Sequence, residues 1–452
     1  MIAPRTSILA CMSALLVLSG ADARAAASAA GRAKLVERPV NVILMIADGC
    51  GPASTGLARA MLGRPLALDS ILVGQIETSS ASSRVTDSAA AATALASGVK
   101  TSNRMLGRDP TGRTVATLLE RARERGMATG LVVKSAITDA TPAAFAAHVH
   151  NRASEDSIAV QELDHGVDVM LGGGREWFLP VGRGGSRKDS LDLVARAKER
   201  GWTYADSPQA LARVSHGPLL GLFASGDMAF ALDRDAAREP SLPEMATKAL
   251  ALLGSAHKGF FMMIEGSLVD HAGHANDPAA HAREVLEYDE TVREVLQFAR
   301  RNGRTLVVST ADHETGGLGL GRRIGERSIY ELHPEALVPV RASTSRMADR
   351  ILAGAAADSL VHADTGAPLS ESERALLATA VAAKSGVAQA LGQIESLRAS
   401  LDWTTGGHTA VDVNLYAFGP GSERFRGLHD NTEIARLLAE RIGVTLSSLA
   451  AR

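Results

Sequence analysis

The run Pro39–Ala47, PVNVILMIA, is apolar without alternation and has the length of a strand. A strand with no polar face is covered on both sides, as in a parallel sheet held between layers of helix. The run ends in Asp48-Gly49. A carboxylate at the carboxyl end of a buried parallel strand lies where open α/β sheets build their sites. The pattern recurs along the chain. Met127–Lys134 (MATGLVVK) leads towards Asp139, Gly259–Ile264 (GFFMMI) ends in Glu265-Gly266, and Arg304–Thr310 (RTLVVST) ends in Ala311-Asp312-His313-Glu314. Val167–Leu171, Leu219–Phe223 and Val413–Phe418 read as further strands, and Gly74–Thr78 as a weaker one. Amphipathic helices over Arg113–Arg125, Ser190–Arg200, Pro243–Leu253, Ala279–Arg301 and Thr432–Ile442 fall among them. Strands alternating with helices predict an α/β fold on a parallel sheet.

The 452 residues, 46% of them hydrophobic, suffice for a large core. A net charge of −2 gives no basic field for nucleic acid, and 4% aromatics give no base-stacking platform. Arg5, the apolar run Ile8–Ser19 and the small residues around Ala21-Asp22-Ala23 predict a cleaved secretion signal over residues 1–26. An Ala-rich leader remnant over 27–36 precedes a catalytic domain over 37–452. The apolar run is too short for a comfortable membrane span, so the expected location is periplasmic or secreted. The cysteines are Cys11 and Cys50; cleavage removes the first, so the mature chain forms no internal disulfide. Cys50 is expected to be a small buried thiol. Residues 320–401 are rich in Ala, Ser and Arg, with a helix over Ser370–Lys384, and read as an inserted helical subdomain.

Arg84–Gly98, RVTDSAAAATALASG, predicts a helix capped by Asp87 and stopped by Gly98. Ser88 then sits at its N-terminus, where free N–H groups favour an anion. By itself the stretch is equally a capped packing helix. The acids Asp48, Asp139, Glu265 and Asp312 share one edge of the sheet, where they repel unless cations neutralise them. His274, His313 and His408 add nitrogen donors. Asp270 and His274 are four apart and share a helix face. Mixed Asp/His sets suit zinc and oxygen-only sets suit magnesium. Divalent metals, a helix N-terminus and an arginine describe a phosphoryl-transfer site. Arg152 closes a helix predicted over Ala143–Arg152, with His148 and His150 expected to be structural. Gly172–Gly174 is expected to be a tight turn rather than a phosphate cradle.

VTDSAAAATALASG, DATPAAFAAHVHNR, MLGGGRE, IEGSLVDHAGHAN, TADHETGG and GGHTAVDVNLYAFGPG resemble the alkaline phosphatase family and occur in that family's order. The likeness runs from about residue 37 to 318 and from 402 to 443. It implies a three-layer αβα fold about a large, mostly parallel sheet. It implies Ser88 as a nucleophile that becomes phosphoserine. Asp270, His274 and His408 would hold one Zn2+, which activates water, and Asp48, Asp312 and His313 a second beside Ser88. One Mg2+ would be shared by Asp48, Thr141 and Glu265, with Asp139 supporting it through water. Arg152 would clamp two phosphate oxygens, and Asp87 would orient Arg152 or the nucleophile loop. The family varies after the first zinc aspartate. His271 stands there and is expected to touch phosphate through water or to support the third metal; otherwise it is a solvated surface histidine. Glu314 is expected to accept a hydrogen bond from a metal-bound histidine. The implied substrates are small phosphate monoesters, and the family suggests a homodimer. A sulfatase would need a modifiable residue in a C/S-x-P-x-R setting, which Ser88-Ala89-Ala90-Ala91 is not. A phosphodiesterase and an inactive phosphate-binding protein are the other readings.

Overall fold

The computed structural model describes residues 41–446. The predicted signal and leader lie outside the described residues. The strands are β1 (Asn41–Ile46), β2 (Leu72–Glu77), β3 (Ala128–Ala136), β4 (Val169–Gly173), β5 (Thr203–Ala205), β6 (Leu219–Leu222), β7 (Phe260–Glu265) and β8 (Thr305–Thr310). Short strands follow: β9 (Glu314–Thr315), β10 (Leu318–Leu320), β11 (Arg322–Ile324) and β12 (Arg327–Ile329), then β13 (Leu401–Trp403), β14 (His408–Thr409), β15 (Val413–Phe418) and β16 (Gly427–Asp430). One ten-stranded sheet has the order β16-β2-β15-β8-β1-β7-β3-β4-β6-β5. Within it β15 alone pairs antiparallel, with β2 and β8. The molecule is a three-layer αβα sandwich. The central strands β1, β7 and β8 are buried at every residue, because helices cover both faces of the sheet.

This order sets β8, β1, β7 and β3 side by side, all parallel. Their carboxyl ends therefore present Asp312, Asp48, Glu265 and the loop to Asp139 along one edge. The sequence placed these strands to within a residue or two. The helix before Arg152 differs. It spans Ala140–Ala146, and Val149 instead pairs with Leu106 in a bridge. The His148 ring accounts for the break: Nδ1 donates to Gly107 O at 2.7 Å and Nε2 lies 2.8 Å from Glu120 Oε1. The helix predicted from Arg113 begins only at Leu118, behind a capping box made by Thr117 and Glu120. Gly174, with φ 84°, turns the chain out of β4 as expected. Cys50 is buried, and burial pushes its thiol up to about 12.

Helices Thr344–Leu352, Ala357–Thr365, Glu371–Ala383 and Val387–Ala399 carry a small core of their own around Met347, Val361, Leu377 and Leu391. Among the described residues no helix is long and apolar enough to cross a membrane.

Candidate metal centre and nucleophile

Ser88 is the first residue of the helix Ser88–Ser97, and its neighbour Asp87 accepts from Ala90 N at 3.0 Å as the N-cap. The helix is buried along its whole length; its alanines let it pack closely with the helix Ala140–Ala146, against which it shares a small apolar cluster. Ser88 Oγ lies 3.1 Å from His313 Nε2. The same nitrogen is 3.5 Å from Asp48 Oδ1 and 3.3 Å from Asp312 Oδ2.

Three histidines converge in one tautomer. His313 Nδ1 faces Thr315 Oγ1 at 3.2 Å, His274 Nδ1 faces Gly406 O at 2.7 Å, and His408 Nδ1 faces Thr86 O at 2.9 Å. The carbonyl oxygens only accept, so His274 and His408 carry a proton on Nδ1 and turn Nε2 into the site; the hydrogen bond to Asp270 raises His274 to about 9 in the metal-free fold. Those two Nε2 atoms are 3.1 Å apart. Two neutral rings so placed repel unless they share a proton or a metal cation. Asp270 closes the group, with Oδ2 3.3 Å from His274 Nε2 and Oδ1 3.6 Å from His408 Nε2. Potential ligand atoms of Asp270, His313 and His408, and separately of Asp48, Asp312 and His313, lie within 4.8 Å of one another. His313 thus stands between the two groups rather than in one alone.

Buried oxygens without partners mark the same place. Asp48 Oδ1, Asp312 Oδ2, Glu265 Oε1 and Thr141 Oγ1 have no hydrogen bond, a costly state for a buried polar atom. Burial, then Asp312, holds the Asp48 carboxyl well above the usual range. Burial, then Asp270, pushes Asp312 up to about 7; burial, then Asp139, pushes Glu265 up to about 8. Burial holds His313 well below its usual value, as a neutral ligand requires. The nitrogen and carboxylate donors fit zinc. The oxygen-only set of Asp48, Glu265 and Thr141 fits magnesium.

Arg152 is gripped from both sides. Nη2 donates to Asp139 Oδ1 at 2.7 Å, and Nη1 lies 3.8 Å from Asp87 Oδ2. Burial opposes its charge, but Asp139 and Asp87 raise its pKa further. Asp139 therefore reaches Arg152 directly. His271 is half-buried, with Nδ1 3.6 Å from Asp227 Oδ2.

Among the described residues, Glu314 reaches no histidine ring through a hydrogen bond. It accepts from Gly317 N at 2.9 Å and from Thr409 Oγ1, and so pins the β9–β14 pair that carries His408. Gly317 N lies on the same tight turn, and Thr409 stands opposite Glu314 across the β9–β14 pair, so both are nearer to hand than the rings. Sequence reasoning missed Thr315, whose hydroxyl donates to Asp270 Oδ1 at 2.5 Å while facing His313. Its place inside TADHETGG was the available signal. It also missed why Gly49 follows Asp48. Gly49 has φ 72°, and a Cβ there would stand 2.7 Å from Asp270 Cα.

Residues 40–444 match the family model described as alkaline phosphatase. The chain is 36% identical to the repressible alkaline phosphatase of Saccharomyces cerevisiae, covering 90% of this chain and 82% of the relative. It is 37% identical to alkaline phosphatase 4 of Bacillus subtilis over 93% of each. Its fold is similar to the cold-active alkaline phosphatase of Shewanella sp., with a TM-score of 0.83 at 34% identity over 89% of this chain and 99% of that one. The alkaline phosphatase of Thermus thermophilus superposes with a TM-score of 0.81 at 32% identity, over 90% and 92%.

Proposed function

The chain belongs to the alkaline phosphatase family of phosphomonoesterases, and from that premise we propose the residue roles by which it hydrolyses phosphate monoesters. The observation that carries them is the convergence of His274 Nε2 and His408 Nε2, 3.1 Å apart, with the buried carboxylates beside the Ser88 hydroxyl. Asp270, His274 and His408 hold one zinc ion, and Asp48, Asp312 and His313 the second. Asp48, Thr141 and Glu265 hold magnesium, with Asp139 supporting it through water. A variant of the related TAB5 alkaline phosphatase holds magnesium in its M3 site. When bound, the cations lower the pKa of the hydroxyl and water they hold and counter charge on the transferring phosphoryl group.

Ser88 Oγ attacks phosphorus, the P–O bond to the alcohol breaks, and phosphoserine forms. Water then attacks the same phosphorus from the vacated side. Its P–O bond forms as the bond to Ser88 breaks, releasing inorganic phosphate and restoring the hydroxyl. The two inversions give net retention. Arg152, fixed by Asp139 and Asp87, offers its remaining N–H groups to two phosphoryl oxygens. Asp87 holds both the Ser88 helix and Arg152, so the nucleophile and the clamp share one support. His271 faces the phosphate through water or supports the magnesium. Secretion of the processed chain and pairing as a homodimer belong to the same proposal, with residues 320–401 as an inserted crown- or cap-like subdomain that covers the site, pairs subunits or does both.

Phosphate release from p-nitrophenyl phosphate, with and without a chelator, tests the reading. Metal-dependent turnover that Ser88→Ala abolishes is expected. Turnover indifferent to both treatments would refute it.

A further inference from the structure

Ser267 follows Glu265 and Gly266 at the turn from β7 into the helix Leu268–His274, and it is buried. A serine at such a turn commonly caps the helix with its hydroxyl; this one makes no capping bond. Its Oγ meets other groups. Lys134 N and Ser135 N each donate to it at 3.1 Å, and Glu265 Oε2 lies 2.7 Å away. A hydroxyl has two lone pairs and one proton. The two N–H groups take both lone pairs, so the proton goes to Glu265 Oε2. Ser135 Oγ stands off from the same oxygen at 3.5 Å, with Ala136 O nearer at 3.2 Å.

The hydroxyl joins two strands where their own pairing stops. β3 pairs with β7 only as far as Val132, opposite Ile264, and its register with β4 slips between Val132 and Ala136. Lys134 and Ser135 lie beyond Val132 and are buried, where an N–H group needs a partner. Next to them Asp227 takes Ala136 N at 2.8 Å. Asp139 N then donates to Ala136 O at 2.9 Å as the chain turns into the helix that carries Thr141. Ser267 therefore ties Glu265 to the strand end that leads to Asp139 and Thr141. One oxygen of Glu265 is held by this tie. The other, Oε1, has no hydrogen-bond partner among the described residues, and neither has Thr141 Oγ1. Lys134 is anchored separately, since its Nζ reaches Glu284 Oε2 at 2.8 Å and Glu287 as well. The strand end thus does not hang on Ser267 alone.

We propose that Ser267 is a positioning residue that makes the set of Asp48, Thr141 and Glu265 selective for magnesium over calcium. Calcium readily takes both oxygens of one carboxylate, whereas magnesium demands a near-ideal octahedron that such a bite distorts. With Oε2 committed to Ser267, Glu265 has a single oxygen to give. Without the hydroxyl, the carboxylate turns and offers both. The inference rests on the reading of these three residues as the magnesium ligands.

The test titrates zinc-loaded protein, freed of magnesium, with magnesium chloride and with calcium chloride in a calorimeter. The native protein is expected to bind magnesium the more tightly. Ser267→Ala is expected to weaken magnesium by about 10–100-fold, as loss of a group behind a metal ligand does. Calcium should weaken less, so the ratio of the two affinities falls, while zinc content and the far-UV spectrum stay native. Ser267→Thr, which keeps the hydroxyl, is expected to restore the ratio. A native ratio in Ser267→Ala overturns the role, whether both affinities stay or both fall together, and so does a Ser267→Thr ratio no better than that of Ser267→Ala. Loss of zinc or of the native spectrum in Ser267→Ala marks a serine that holds the fold and likewise overturns it. Each of these results leaves the magnesium reading standing. Native protein that binds no magnesium once its zinc is in place overturns both.

Discussion

Ser88, Arg152 and Thr315 divide the work at the level of single side chains. In the proposed roles, Ser88→Ala removes the attacking atom but none of the groups that hold phosphate. Its kcat should fall at least about 10³-fold, as when other nucleophiles are deleted, while inorganic phosphate still competes in a binding assay. Arg152→Ala removes charged hydrogen bonds worth about 1.5–3 kcal/mol each. The phosphate inhibition constant should rise by one to two orders of magnitude, and more than kcat falls. Thr315 supplies one proton to Asp270 and turns its oxygen to His313. Thr315→Val should weaken metal retention by about 10–100-fold, read as zinc left after dialysis against a chelator, and Thr315→Ser should restore it.

The elements matter because each delivers one carboxylate or ring to the same edge. β1 ends at Ile46, two residues before Asp48, and the turn there lets the chain pass within van der Waals reach of Asp270 only because residue 49 lacks a side chain. Gly49→Ala meets both a left-handed backbone and the Asp270 Cα. It should cost about 1–3 kcal/mol of stability, seen as a lower Tm, with reduced zinc content in the folded fraction. The helix Ala140–Ala146 was expected to run on to Arg152. Apolar spacing continues through that stretch, so periodicity alone extends the helix. The end is set by Glu120 and Gly107, which hold the His148 ring from elsewhere in the chain. Glu314 repeats the lesson. Its neighbours in sequence suggested a ring partner, whereas Gly317 and Thr409 claim it once β9 and β14 pair.

For the whole molecule, metal and stability are linked. The buried acids are raised in the metal-free fold, Asp312 to about 7 and Glu265 to about 8. Through these two groups the native state binds more protons than the unfolded chain between the unfolded carboxylate values near ~4 and about 7–8. Stability of the metal-free protein is present at and below the unfolded values and is lost as pH rises towards 7–8. With a chelator present, Tm should therefore fall between about pH 4 and pH 8. Saturating zinc and magnesium should flatten the dependence and raise Tm at pH 8, because they bind the native state alone. A chelated protein whose Tm is flat over that range would contradict the linkage.

The chain by itself determined the architecture. Runs such as Pro39–Ala47 and Gly259–Ile264 have no polar face to give to water, so they must lie between helical layers, and strand geometry then sends the following acids to one edge. It also determined the kinds of donor available, since residue type fixes which atoms can hold zinc or magnesium. Tertiary structure alone decided which donor stands beside which. His313 falls between both groups, Asp139 turns to Arg152, and Thr315 joins Asp270 to His313. Those choices depend on distances of a few ångströms between strands far apart in the chain, and local pattern carries no information at that scale.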